Sequence, residues 1–264
     1  VIAQFMNNLQ PHQQIFNATW DDAPHLNDEV KREILAALPE HEREMRSKGI
    51  PVLGSGLVFP IKESEVRVQS FSIPDHWSRI CGIDFGWDHP TATVWLAHNR
   101  DADTVYLYDC YRKSAETPVV HSAAIKKRGA WIPVIWPHDG SQHDKGSGIS
   151  LAESYRRQGL SMHRKHFENP EGGQSVEPGI MEMLDRMRTS RFYVFDHLSD
   201  WFEELRMYHR KDGKIVKFKD DLMSATRYAT QSLRFAKAGE RQRFQTTAYG
   251  TFDSEWDHFR KEVA

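Results

Sequence analysis

Cysteine is almost missing from this chain: 264 residues hold only Cys81 and Cys110. Two thiols, each inside a run that reads as a strand, argue against a disulfide framework or a cysteine zinc site and fit buried, reduced thiols in a reducing compartment. Long apolar runs are missing too. None approaches the roughly 18 residues a membrane span needs, and the N-terminus lacks the charged-then-apolar order of a signal peptide. A formal net charge of −2 argues against a protein coated by nucleic acid, although a local groove stays open. The basic clusters Lys126-Lys127-Arg128, Arg156-Arg157, Arg164-Lys165 and Lys214 to Lys219 read individually as solvated helix ends and strand faces. A phosphate-cradling loop is absent as well. Gly140 to Ser147 reads G-S-Q-H-D-K-G-S, with lysine and glycine in the wrong order for G-x-x-x-x-G-K-[ST]. There are no internal repeats. With 39% hydrophobic residues, the composition fits a soluble globular chain with one large or two modest cores.

What is present divides into three stretches. Residues 1–76 read as a linker or small subdomain: Asn27 caps a helix whose Val30, Ile34, Leu35 and Leu38 share a face, Pro39 ends it, and Gly54-Ser55-Gly56 leads into a strand over 58–61. Pro74 marks the boundary. From Arg79 the periodicity becomes regular over a domain spanning 77–238. Strands are expected at 79–84, 91–98 and 104–111, forming an antiparallel set with a polar hairpin loop at Asn99 to Asp103. Thr117-Pro118 opens a helix to about Arg128, and Trp131 to Trp136 supplies a fourth strand. Helices near 149–158, 178–188, 199–210 and 221–236 surround a further strand at 191–195, giving a mixed sheet covered by helices. Residues 239–264 read as a peripheral tail in which Phe252, Trp256 and Phe259 could dock as a short helix.

Acidic residues at strand ends carry the chemistry. Asp84 closes the apolar strand Arg79-Ile-Cys-Gly-Ile-Asp84, where a carboxylate has no packing reason to be and the following Phe85-Gly86 permits a turn or a close ligand approach. Asp139 repeats the arrangement in Trp136-Pro137-His138-Asp139-Gly140, and Asp220-Asp221 opens the amphipathic helix that buries Leu222, Ala225, Ala229, Leu233 and Ala236. Each acid alone has a bland reading, as a turn or a helix cap. If the first and fourth strands are neighbours, however, Asp84 and Asp139 leave the same sheet edge, and the helix can bring its first turn alongside. Crowded carboxylates repel, so such a cluster is tolerated mainly where cations occupy it. Two divalent cations held roughly 3.5–4 Å apart would activate water and stabilise the leaving oxygen of a phosphodiester. His138 and His143 flank Asp139 as candidate ligands or phosphate partners, whereas Asp88-His89-Pro90 reads as a turn and the Glu203-Glu204 face as structural.

In combination and in order, several segments resemble the C-terminal nuclease region of the large terminase subunit of tailed bacteriophages, in particular the P22-like group. They are Ala18 to Leu26 (ATWDDAPHL), Gly54-Ser55-Gly56 with Phe59-Pro60-Ile61, Gly82 to Pro90 (GIDFGWDHP), Trp136 to Gly140 (WPHDG) and Asp220 to Ala229 (DDLMSATRYA). The resemblance covers about residues 15 to 237. It implies an RNase H-like fold with metal-binding acids at Asp84, Asp139 and the Asp220-Asp221 pair, loaded with two Mg²⁺ or Mn²⁺ ions. It further implies an endonuclease that cuts concatemeric double-stranded DNA to initiate and terminate genome packaging. The implied partners are DNA, the portal protein, the small terminase subunit and the ATPase domain of the full-length protein, with no membrane. The implied location is the host cytoplasm, transiently at the procapsid portal. The ATPase signature itself is missing, so the chain looks like a nuclease fragment with its linker that should not pump DNA alone.

Two other readings remain open at this point. Actin-like and sugar-kinase ATPases also begin with a Gly-Ile-Asp-Phe-Gly strand, but Trp87 stands where a phosphate-binding Thr or Ser would help. A non-catalytic docking module for portal or DNA would use the same acids as ordinary caps and turns. Low sequence specificity is expected for a nuclease, because no recognition helix or zinc module is evident.

Overall fold

A mixed sheet is assembled from strands β1 (Arg67–Val68), β2 (Ser78–Asp84), β3 (Thr91–Asn99), β4 (Thr104–Lys113), β5 (Val134–Ile135) and β6 (Phe192–Phe195). The computed structural model describes residues 12–14, 16, 18–38, 43, 46–49, 56–142, 148–170, 172–173 and 175–239, so His143 and all but Gly239 of the expected tail lie outside the described residues. A separate hairpin pairs β7 (Arg210–Lys211) with β8 (Lys214–Ile215), and β9 (Lys237–Ala238) joins the edge of β2. The main sheet runs β1-β6-β4-β3-β2-β5. β2, β3 and β4 form the expected antiparallel meander, and β5 lies parallel to β2 through Cys81↔Val134 and Gly82↔Ile135. Among the described residues the helices are α1 (Asp28–Ala37), α2 (Glu63–Val66), α3 (Pro118–Lys126), α4 (Leu151–Arg157), α5 (Glu177–Arg188), α6 (Ser199–Met207) and α7 (Asp221–Thr230). Among the described residues no helix is long and apolar enough to cross a membrane.

The period-2 alternation of β2 decides what faces what. Ile80 joins a large core with α5, α6 and α7, whereas Cys81 and Ile83 join a second core under α3 and α4 with Trp95 and Tyr155. Gly82 and Asp84 therefore share the α7 face. On that face a Cβ at Gly82 would stand 2.1 Å from the backbone carbonyl oxygen of Ala225, so glycine is what lets α7 lie directly on the strand. The larger core is anchored by the fully buried Trp201 and Phe202 of α6, each worth about 1.5–3 kcal/mol by apolar burial.

Several elements differ from expectation for local reasons. Residues 58–61 make no strand: Val58, Phe59 and Ile61 are buried for packing, Pro60 has no donor to give a ladder, and only Leu57 forms a bridge, to His209. This apolar run belongs to the same core as the sheet, and β1 pairs with β6 in parallel. The division expected at 76/77 thus does not coincide with an edge of the core. The strand expected over 131–136 shortens to β5 between Pro133 and Pro137, with the Pro133 carbonyl accepting from Cys81 N at 2.8 Å. α7 stops at Thr230, after which Leu233–Phe235 forms a 3-10 turn that delivers β9 to β2. α6 ends at Met207, freeing Arg210 for the β7–β8 hairpin. Both cysteines are free, Cys81 fully buried, and burial pushes the Cys110 thiol up to about 12.

Candidate active site

Asp84, Asp139, Asp220 and Asp221 line one cavity of about 670 Å³. The parallel pairing of β2 with β5 brings the ends of both strands to one edge, so the chain leaves them as Asp84 and, one turn later, Asp139. Asp139 sits in a 3-10 turn, His138–Ser141, rather than on the strand itself. Its neighbour Gly140 fixes the distance between the two acid loops, because a Cβ there would lie 2.5 Å from the ring of Phe85 and 2.7 Å from that of Trp136. The close seat of α7 on Gly82 supplies the other wall.

The capping explanation for the acid pair fails in detail. Asp220 occupies the N-cap position of α7, yet its side chain makes no capping hydrogen bond. Glu204 of α6 does that work instead: its Oε2 accepts from Leu222 N at 2.7 Å and from Met223 N at 3.3 Å, and its Oε1 accepts from Arg112 Nη1 at 3.2 Å. Arg112 also holds Glu203 at 2.8 Å, and Lys219 binds Glu203 at 3.2 Å. Glu204 is 0% exposed, and burial pushes its carboxyl up to about 8 against the pull of Arg112 and the two helix N–H groups. With its first turn capped from outside, α7 leaves both Asp220 and Asp221 free to face the cavity.

Electrostatically the cluster is compensated only in part. Burial first, then repulsion from Asp139, Asp221 and Asp220, holds the Asp84 carboxyl well above the usual range, and the Arg227 charge opposes only in part. Burial also raises Asp139, against the N–H of Gly140, and raises Asp220 and Asp221, the latter further through Asp220. None of the four forms a salt bridge among the described residues. Among those residues, too, no three Asp, Glu, His or Cys side chains lie close enough together to hold a metal ion as they stand. The donor set, carboxylate oxygen throughout, fits a hard divalent cation such as Mg²⁺ or Mn²⁺.

The family described as the terminase RNaseH-like domain matches residues 81–233, which contain all four acids. The chain is 46% identical over 238 residues to the large terminase subunit of Salmonella phage P22, covering 90% of this chain and 48% of that protein. The chain belongs to the terminase RNase H-like family. The solved nuclease domain of the P22 large terminase superposes with a TM-score of 0.65 at 46% identity, covering 70% of this chain and 96% of that domain. The solved large terminase of a thermophilic bacteriophage, at 18% identity and a TM-score of 0.54, shares the fold, over 82% of this chain and 54% of that one. The chain spans about half the length of the curated relatives it matches. An actin-like ATPase reading finds no support in this family membership.

Within this terminase-type sheet the structure brings to the cavity residues that the sequence presents as a turn and as a solvated basic cluster. His89 lines the acid cavity and is more than a turn residue; its charge, when present, would ease Asp220 and Asp221. Lys214 and Lys217 reach the same cavity from the hairpin and the loop after it, while Arg128 and Arg156 in the other basic clusters pair with Asp109 and Glu153. His138 lines an adjoining cavity of about 570 Å³ rather than the acid one, with its ring 4.7 Å from that of His166. A signal for the α7 contribution was present in the spacing: Asp220, Ser224 and Arg227 fall at i, i+4 and i+7 and all line the acid cavity.

Proposed function

We propose that this domain is a metal-dependent endonuclease of a viral DNA-packaging terminase, cutting concatemeric double-stranded DNA to initiate and terminate packaging. The observation that carries the reading is the convergence of four carboxylates, none of them in a salt bridge among the described residues, at one sheet edge beside Lys214 and Lys217. Asp84, Asp139 and the Asp220-Asp221 pair would hold two divalent cations. Bound there, the cations would lower the pKa of the attacking water and offset charge on the leaving oxygen. The carboxylates serve as ligands and not as nucleophiles. Glu204 fixes the α7 acids through the helix N–H groups, Gly82 and Gly140 set the spacing of the walls, and the lysines draw the DNA backbone toward the cavity. In the full-length protein the partners are an ATPase domain, the portal and the small terminase subunit, in the host cytoplasm and transiently at the procapsid portal.

The test is supercoiled plasmid incubated with the chain in EDTA, Mg²⁺ or Mn²⁺, alongside folded Asp84→Asn and Asp139→Asn variants. Cutting that needs the cation and disappears in both variants is the expected result. Wild-type cutting by both variants would remove these acids from the mechanism, and duplex binding without any cutting by the wild type would favour a docking module.

A further inference from the structure

Arg227 is 7% exposed, on the stripe of α7 that faces the acids. It makes no salt bridge and donates no side-chain hydrogen bond among the described residues, although four carboxylates stand nearby. Other arginines, only partly buried, do pair. Arg186 holds Asp103 and Glu182, Arg128 holds Asp109, and Arg112 holds Asp200, Glu203 and Glu204. None of its nitrogens is among the buried polar atoms left without a partner, so the guanidinium opens onto the cavities it lines, where a ligand from outside the chain can reach a fork that no carboxylate of the described residues holds.

Its geometry is built rather than incidental. The stem runs across Gly179 of α5, where a Cβ would lie 2.4 Å from the Arg227 Cγ, and the guanidinium stacks on Tyr228 at 4.5 Å and near Phe167 at 5.4 Å. Held on three sides, the group lines both the acid cavity and the adjoining one that contains His138 and His166. Asp139, Arg227 and Tyr228 are common to the two, so the planar fork stands where one cavity opens into the other.

We infer that Arg227 is an anion subsite that receives a backbone phosphate of the DNA next to the acid cluster, with the His138–His166 cavity continuing the path of the strand. A phosphodiester carries the single negative charge and the oxygen pair that a guanidinium fork binds bidentately, and it brings that charge only when substrate is present. This rests on the nuclease reading above and assigns a substrate-holding role to a residue outside the carboxylate set.

The experiment separates binding from cutting. In an Asp84→Asn background, with EDTA, a short duplex is titrated over a series of salt concentrations with Arg227, Arg227→Lys or Arg227→Gln. Losing one phosphate contact makes the slope of log K against log salt shallower by about 0.9, so Arg227→Gln is expected to bind more weakly with that smaller slope. Arg227→Lys, which keeps the charge and loses the fork, is expected to restore part of the affinity. With Asp84 intact, Arg227→Gln is expected to cut plasmid about 10–100-fold more slowly, the fold-change of losing one charged hydrogen-bond pair. Its Mn²⁺-induced rise in melting temperature should persist. A folded Arg227→Gln with wild-type slope and cutting overturns the subsite, as does loss of the Mn²⁺ response, which would mean that Arg227 acts through the carboxylates. Cutting by the wild type together with an unaffected Arg227→Gln removes the subsite alone; a wild type that neither binds nor cuts duplex removes the nuclease reading and the subsite with it.

Discussion

Asp103 and Asp84 close opposite ends of the same antiparallel meander and meet opposite fates. Asp103, in the β3–β4 turn, accepts from Arg186 Nη1 at 3.1 Å and Arg191 Nη1 at 2.7 Å and lies 3.1 Å from His98 Nε2. Burial is the largest single influence and raises it, but those three partners together outweigh it and hold its carboxyl down to about 2. Asp84, at the end of β2, is pushed up first by burial and then by the three carboxylates it meets. The same residue type is thus structural where the chain supplies its counter-charge and available for chemistry where the chain withholds it. Satisfied charge marks the scaffold, and convergent unsatisfied charge marks the site.

Substitutions at three positions put pressure on that contrast. The largest effect is expected at Asp84→Asn. Outer partners of metal ligands already cost 10–100-fold, so loss of a direct ligand should lower cutting by more than about 100-fold in a plasmid assay. The same change should raise the melting temperature of the cation-free chain at neutral pH. Because the folded-state pKa of Asp84 is raised, the native chain holds its proton longer than the unfolded one, and stability falls as pH climbs above the ordinary carboxylate value of 3.8. Asp84→Asn should flatten that decline in melting curves taken across pH.

Glu204→Ala comes next. It strips the outside cap from α7, leaving the N–H groups of Leu222 and Met223 unmet inside the core, at a cost of about 1–3 kcal/mol in denaturant unfolding. Cutting should fall about 10–100-fold with it, since the acids of α7 lose their fixed seat. Glu204→Gln keeps an acceptor and should retain most of both. Asp103→Asn is the smallest change. Asp103 itself is half in solvent, so the loss should be about 1 kcal/mol or less, with cutting unchanged. Its sign with pH is opposite to that of Asp84: a depressed folded pKa gives stability present above 3.8 that is lost as pH falls through about 2. Asp103→Asn should therefore reduce the acid sensitivity of the chain, read from unfolding between pH 4 and 2.

The meander was legible because β2, β3 and β4 alternate strongly and are separated by polar turns, and α3 announced itself by Thr117-Pro118. β1 was not legible: it is two residues long, and its partner β6 lies more than a hundred residues away. The β7–β8 hairpin hid behind charge, since Arg210-Lys211 and Lys214-Ile215 carry no apolar alternation. Its turn was nevertheless written out, as Asp212-Gly213 takes positive φ at both residues, 52° and 76°. For the site, the strand-end position of Asp84 stood out in the sequence, while Asp220-Asp221 looked like an ordinary helix start. What makes the pair different is Glu204, whose role depends on a helix–helix contact that no local pattern encodes. Arg227 was lost inside the apolar rhythm of α7, where a buried arginine in no salt bridge among the described residues is visible only in three dimensions.

The most direct measurement is the melting temperature of the wild type, Asp84→Asn and Asp103→Asn, each with and without saturating Mn²⁺. A cation held at about 100 times its Kd stabilises the folded chain by about 2.7 kcal/mol. The account requires a clear rise for the wild type, the same rise from a slightly lower start for Asp103→Asn, and the loss of most of it in Asp84→Asn. A wild type that Mn²⁺ leaves unmoved, or an Asp84→Asn chain that rises as far as the wild type, would contradict the claim that these unpaired carboxylates are a cation site.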